Sequence, residues 1–468
     1  MARVTVTQIP VEVAREDAVP RITVTQMPVE VAREDAVPRI TVTQMPVEVA
    51  REDAIPRITV TQMVVEVAWV VPAPAPTCTA PAPAVPDSIA SKYYIKLRNQ
   101  TGDQVALFDD FLLEYGKEVN GVGYYSLTLN DDDERKSLFE TDGWVEVVRT
   151  VPACGVDWYT DFYGLHRDID RKVDSNGERF FISTGVDFND LLTRGCVAFK
   201  AGTIRSDKNA AAETVMKEYV NENNGPLAIM GGVVGRLHGH VLPSFSIDAD
   251  TGAGIVWTGS RAYENLLDVL QDISKLSDID FAVEPNGVAQ FVFKTYVNQM
   301  GTDRTTVGLN PSSGKNTAGN APVIFNLLYG NIQDSEYKFS RMSEANAVLV
   351  LGKGELSTRN VIVREDTFAE AASPWNSREI SRPGTSQEYT YQLETMGDEI
   401  LKEMAAKETF TFTAMQQPSS LYGKHYFLGD RVTLVFDDLE RHARITGVKV
   451  VTSNDKGEEI TLDFEIPS

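Results

Sequence analysis

Two of the five histidines, His238 and His240, stand two residues apart in "HGH", and Asp248 and Asp250 follow in "DADTGAG". On an extended strand, side chains two apart share a face. Two imidazoles and two carboxylates so placed are a conceivable divalent-metal set. The glycine-rich surroundings favour a surface loop with solvated histidines, and no metal site is taken forward. "DADTG" also opens like a calcium loop, but its twelfth position is Gly259, where a bidentate glutamate belongs. It reads as a turn.

Other motifs fare no better. "NPSSGKNT" at 310–317 has the lysine of a phosphate loop but not its first glycine, and Asn316 replaces the magnesium-binding hydroxyl. "NDDDER" at 130–135 reads as a solvated turn between strands. The cysteines, Cys78, Cys154 and Cys196, show no metal-ligand spacing, and an odd count gives no disulfide framework. No serine or cysteine motif announces a nucleophile. The expectation is a non-enzymatic chain with no cofactor and no catalytic residue.

The elements around these residues are more informative. Net charge is −23 and pI about 4.7, which excludes an ordinary nucleic-acid binder with its basic face. It also disfavours an anionic membrane surface. Neither a signal peptide nor an 18-residue apolar run is present, so synthesis in the cytoplasm without a membrane anchor is expected.

The first 72 residues repeat an 18-residue unit, "RITVTQMPVEVAREDAVP", with copies at 3–20, 21–38 and 39–56 and a truncated fourth from Arg57. Within a unit Ile22 and Val24 alternate with threonines, and Val29 and Val31 flank Glu30. That pattern suggests two short strands with a kink at Pro28. A unit this short buries no core of its own. The expected role is docking by strand addition to a partner's sheet edge, with Ile22, Val24, Val29 and Val31, and in the next copy Ile40, Val42, Val47 and Val49, as contact residues. Pro28 and the "ARED" charges are expected to keep the copies from pairing with one another. Residues 73–88 form a Pro/Ala tether of roughly 50 Å at ~3.1 Å per residue.

From Tyr93 onward the chain is globular and mainly β. "GYYSLTL" sets Tyr125, Leu127 and Leu129 on one face; "WVEVV" and "RVTLVF" alternate likewise. Three helices are expected: Asp207–Val220, one capped by Ser260, and about 387–407. "DGWVEVV…DFYGLHRDI" and "GDRVTLVF…ARITGVKVV" share a pattern of acid, alternating strand, hairpin and a returning strand around glycine, which hints at an internal duplication.

Residues 94–468 resemble the tail-hub proteins of siphophages. The opening "IKLRNQTGDQVALFDDFLLEYGKEVNGVGYYSLTL", then "DGWVEVVR", "DFYGLHRDI" and "GVDFNDLLTRGCVAF", carry the match, and "RAYENLLDVLQDIS", "NAVLVLGKGE" and "YFLGDRVTLVF" continue it in order. The resemblance implies an α+β, mainly β fold: a β hub domain at 89–205, an α+β domain at 206–310 and a second β hub domain at 311–468. It implies two β-barrel-like modules per chain, a homotrimeric ring at the distal end of the tail tube, and non-specific passage of DNA through an acidic lumen. Distal tail and tube proteins, the tape-measure protein and tail-fibre proteins would be its partners, and the virion tail tip its location. A lytic domain after the hub, carried by some members, is not expected after Ser468. Two other readings remain, a cell-surface or carbohydrate-binding β adhesin and a cell-wall hydrolase. The first would want clustered exposed aromatics and the second a catalytic constellation.

Overall fold

The computed structural model describes residues 3–5, 39–41, 90–199, 203, 205–384, 387, 389–436, 439–453 and 457–466. The chain forms two compact units, Met1–Val85 and Pro86–Ser468. In the first, β1 (Arg3–Thr5) pairs in parallel with β2 (Arg39–Thr41), Val4 opposite Ile40. These are corresponding positions of the first and third repeats. The expectation that the copies avoid one another therefore fails for this pair.

The second unit opens with β3 (Lys92–Arg98), β4 (Gln104–Phe108), β5 (Leu112–Glu118), β6 (Tyr124–Asn130), β7 (Trp144–Val151), β8 (Val156–Val173) and β9 (Arg179–Asp187). A mixed segment follows: α1 (Asp190–Thr193), β10 (Ser206–Ala211), α2 (Ala212–Asn223), β11 (Phe245–Ile247), β12 (Val256–Arg261), α3 (Leu266–Ser277), β13 (Ile279–Pro285) and β14 (Phe291–Val297). Next come β15 (Ile324–Asn326), β16 (Ile332–Ser340), β17 (Ala347–Leu351), β18 (Val361–Glu365), α4 (Thr367–Glu370), β19 (Glu379–Pro383) and α5 (Thr390–Glu403). The chain then adds β20 (Lys407–Ala414), β21 (Arg431–Phe436), β22 (Leu439–Ser453) and β23 (Gly457–Glu465).

Thirteen of these strands make one sheet. Its main path is β16-β20-β23-β22-β5-β6-β9-β8-β7-β3-β4, and β21 and β15 branch from β22. Period-two alternation turns Leu113, Tyr115, Leu127, Val145, Phe412, Val450 and Leu462 into one continuous core that spans both halves. The strand β7 departs from the expected amphipathic pattern, because all eight of its residues are buried. Its opposite face, led by Trp144, enters a second core with Phe188, Trp257 and the apolar faces of α2 and α3. Glu146 tolerates that burial because Arg98 reaches it at 2.5 Å.

Two helix starts are corrected. Asp207–Ala211 is strand, paired with β12, and the helix begins only at Ala212. Val215, Met216, Tyr219 and Val220 then bury as their spacing predicts. Ser260 lies buried inside β12; the cap of α3 is Asn265, whose side chain accepts from the Leu267 amide at 3.0 Å. Tyr263 stays outside the helix, exposed and at φ 60°. The third helix forms over Thr390–Glu403, and Leu393 and Ile400 pack on Val348 and Val350 of the small sheet β18-β17-β19.

Candidate functional site

The sequence-derived metal candidates do not converge. His238 is exposed, and burial beside Arg236 and His238 pushes the His240 imidazole below its ordinary range. Asp250 accepts from Thr214 Oγ1 and the Gly252 amide, while Asp248 accepts from the Ala249 amide, so both close local turns. Among the described residues no group of three His, Cys, Asp or Glu side chains could hold a metal. Asn310 and Lys315 bridge a tight turn and form no helix-capping phosphate cradle. Of the docking candidates, Ile40 lies in β2; Ile22, Val24, Val29, Val31, Val42, Val47 and Val49 lie outside the described residues.

What the sequence did not disclose is a buried polar seam between the sheet's two halves. Arg149 of β7, with no exposed surface, forms a fork on Glu458 of β23: Nε to Oε2 at 2.7 Å and Nη2 to Oε1 at 2.8 Å. Its Nη1 donates to the Tyr422 carbonyl at 2.9 Å and to Tyr159 Oη at 3.1 Å, and Nε also reaches Tyr93 Oη. Burial pulls the guanidinium pKa down, but Glu458 and the surrounding phenols more than reverse this. Beside it, Asp161 accepts from Lys117 Nζ at 2.6 Å, Tyr115 Oη at 2.5 Å and Tyr422 Oη at 2.9 Å. Burial raises the Asp161 pKa, yet Lys117, Tyr115 and Arg149 together hold it below the usual carboxylate range. Each buried charge is thus paired and hydrogen-bonded, the condition under which such groups persist.

A second joint ties the small sheet to the mixed segment. Glu399 of α5 accepts from Trp257 Nε1 at 3.1 Å and Arg261 Nη2 at 2.9 Å. A cavity of about 350 Å³ lies where the large sheet meets β13, lined by Lys117, Glu118, Asp187, Phe281 and Met300. Burial pushes Asp187 up to about 7, against the amides of Gly123 and Asn189, and Asp190 and Glu118 add repulsion. Among the described residues these features stabilise joints and assemble no reaction centre.

The two halves of the sheet repeat one another. The order β5-β6-β9-β8-β7 matches β16-β20-β23-β22-β21, with every pairing antiparallel. Both long strands carry a bulge at the same place, Arg167 in β8 and Thr446 in β22. The flanking bonds also correspond: Asp142 and Gly143 bracket His166 as Gly429 and Asp430 bracket Ile445. The duplication suggested by the two hairpin patterns is therefore present in the backbone.

The halves differ in what covers the second part of the long strand. In β22 it pairs with β5, from Gly447 opposite Glu118 to Ser453 opposite Leu112. In β8 the edge facing away from β9 has no strand beside it among the described residues, and Arg167–Val173 are all exposed. The counterpart of β5, which is β16, likewise pairs only with β20 among the described residues. Each half thus ends in an unmatched edge.

Comparison with solved structures gives distant likenesses. A tail protein from Neisseria meningitidis MC58 is 12% identical, with 80% of this chain and 96% of that one covered and a TM-score of 0.46. The 43 kDa tail protein of prophage MuSo2 from Shewanella oneidensis is 10% identical, covering 80% and 98%, with a TM-score of 0.48. Prophage tail protein gp18 from Listeria monocytogenes EGD-e is 11% identical, covering 80% and 94%, with a TM-score of 0.44. No curated protein sequence matches the chain. Residues 94–464 match the family model described as Siphovirus ReqiPepy6 Gp37-like protein, and the chain belongs to that family of structural siphovirus tail proteins, which are not enzymes.

Proposed function

We propose that this structural tail protein is the hub of the tail tip, a closed ring made of three copies of this one chain. The observation that carries the reading is the duplicated strand order, which would supply each copy with two equivalent ring segments. In this reading 89–205 and 311–468 supply two barrel-like hub domains, and 206–310 lies between them. Three such chains would make a pseudo-sixfold collar at the distal end of the tube.

Double-stranded DNA would pass through the collar without being read. Residues 94–468 carry −20 of the chain's −23 charge. An inner wall short of Lys and Arg releases few counterions and so does not hold the duplex. The N-terminal repeats would dock, through Ile22, Val24, Val29 and Val31 and their equivalents, on neighbouring tip or fibre subunits. Linked weak contacts on a tether gain from effective concentration.

Light scattering and negative-stain images of the purified full chain test the reading. A threefold ring that retains no DNA is expected, and removal of residues 1–72 should preserve the ring while weakening recruitment of a neighbour. A monomer in solution with no ring in assembled tails overturns it.

A further inference from the structure

The duplicated sheet leaves two edges without the strand that covers their internal counterpart. Within the chain, β5 covers the second part of β22, and the equivalent of that joint elsewhere would place β16 along the second part of β8. Among the described residues β16 pairs only with β20 and the second part of β8 only with β9, so that joint is not made within the chain. We infer that β16 of one copy adds antiparallel to Asp168–Val173 of β8 in its neighbour, so that the sheet runs on from chain to chain. This deepens the ring reading above and rests on it.

The register follows from the internal joint without adjustment. The shared bulge sets Gly447 equivalent to Asp168, and Val448 and Lys449 to Ile169 and Asp170. On the other strand, Tyr115 lies opposite Tyr125 as Tyr337 lies opposite Phe410, so Glu114, Tyr115, Gly116 and Lys117 correspond to Glu336, Tyr337, Lys338 and Phe339. The internal pairs Val448–Lys117, Lys449–Gly116 and Val451–Glu114 then transpose to Ile169–Phe339, Asp170–Lys338 and Lys172–Glu336.

These pairs are complementary although nothing in the transposition required it. Ile169 and Phe339 are each 52% exposed, and both fall on the core-facing side, beside Ser183 and Phe410's neighbour Tyr337. Asp170 meets a cation and Lys172 an anion, the cross-strand arrangement that favours an antiparallel pair. Glu336 and Lys338 form no ion pair among the described residues. Asp170 and Lys172 contact each other at 3.2 Å, with both side chains more than half exposed, and such a pair yields readily.

Other registers are worse. A slip by one residue puts Ile169 and Phe339 on opposite faces. A slip by two keeps the faces but sets Lys172 against Lys338 in one direction; in the other Asp168 meets Lys338 and Lys172 meets Asp334, but Asp170 faces Glu336 and Ile169 no longer faces Phe339. The exposure of the edge agrees with a missing strand: every residue from Arg167 to Val173 is exposed, whereas none of Thr446–Ser453, covered by β5, is.

The test combines cysteine pairs with charge exchange in the full chain. Asp170→Cys with Lys338→Cys should give disulfide-linked multimers on a non-reducing gel, since directly opposed residues lie within bridging distance. The slipped pair Arg171→Cys with Lys338→Cys should give none. Separately, Asp170→Lys or Lys338→Asp should shift the light-scattering mass toward monomer at least tenfold in concentration, and the double exchange should restore the ring. A ring that forms without the cross-link, or that ignores the single charge reversals, overturns this pairing and leaves the ring reading intact. A chain that stays monomeric in solution and forms no ring in tail tips overturns both.

Discussion

Arg149 and Glu458 lie 309 residues apart in the chain and meet in a two-pronged ion pair that is almost wholly buried. One comes from the first half of the sheet and the other from the start of its last strand. The pair therefore records that the halves are closed against each other.

Replacing Arg149 with methionine should be costly, because it leaves the buried Glu458 carboxylate without its cation, with the Tyr93 hydroxyl as its remaining donor. Loss of one partner of a buried pair is worth about 3–5 kcal/mol. Urea denaturation of the single variant checks this. Replacing both Arg149 and Glu458 with methionine should recover much of the loss.

Stability should depend on pH through Asp187. Its pKa is raised to about 7 by burial, against about 3.9 in an unfolded chain. The folded form therefore favours the protonated acid. Its contribution is present in full below about pH 4 and is lost as pH climbs through about 7. Asp187→Asn, which keeps an acceptor for the Asn189 amide at 3.0 Å, should melt higher than the parent at about pH 8. Near pH 4 the difference should vanish. Melting curves at the two values decide it.

Glu399→Leu should loosen α5 from the mixed segment, leaving Arg261 buried without its nearest carboxylate and Trp257 Nε1 without an acceptor. The expected cost is again about 3–5 kcal/mol. Limited proteolysis should cut within residues 345–404 sooner, and Trp257 emission should shift to the red. Unchanged cleavage and emission would show that the joint is held elsewhere.

Gly185 sits opposite His166, next to the bulge of β8. A Cβ there would come within 2.0 Å of the Leu165 carbonyl oxygen and 2.6 Å of Tyr125. Gly185→Ala should therefore destabilise by about 1–3 kcal/mol, the usual range for overpacking a tight site. Gly177→Ala separates the two effects, since nothing lies near its Cβ position and only its φ of 88° is strained by a side chain.

Much of the sheet was legible because alternation is a local signal. Tyr125, Leu127 and Leu129 bury as spaced, and the hairpins β7-β8 and β21-β22 pair alike, although their glycines do not coincide: Gly447 stands where β8 has Asp168. The start of α2 was not legible: Asp207–Ala211 is drawn into strand by pairing with β12, a partner about fifty residues away that propensity does not see. Tyr263 matched the spacing of the helix that follows it but not its backbone, which Asn265 begins. Arg149 looked like one more charge on a strand, since its partners come from Tyr93, Tyr422 and Glu458. No spacing rule links those positions.

The joint between β5 and β22 also sets an order in time. Tyr115 pairs with Val450, so the acceptor strand leaves the ribosome long before its mate exists. At about 5–20 residues per second the wait is on the order of tens of seconds. Through that interval the outer edge of β5 is open, and its sequence, with Glu114, Lys117 and Glu118, carries charges that deter wrong strands. A stretch made late seals one made early, so a product truncated before Leu439 would keep the edge of β5 open.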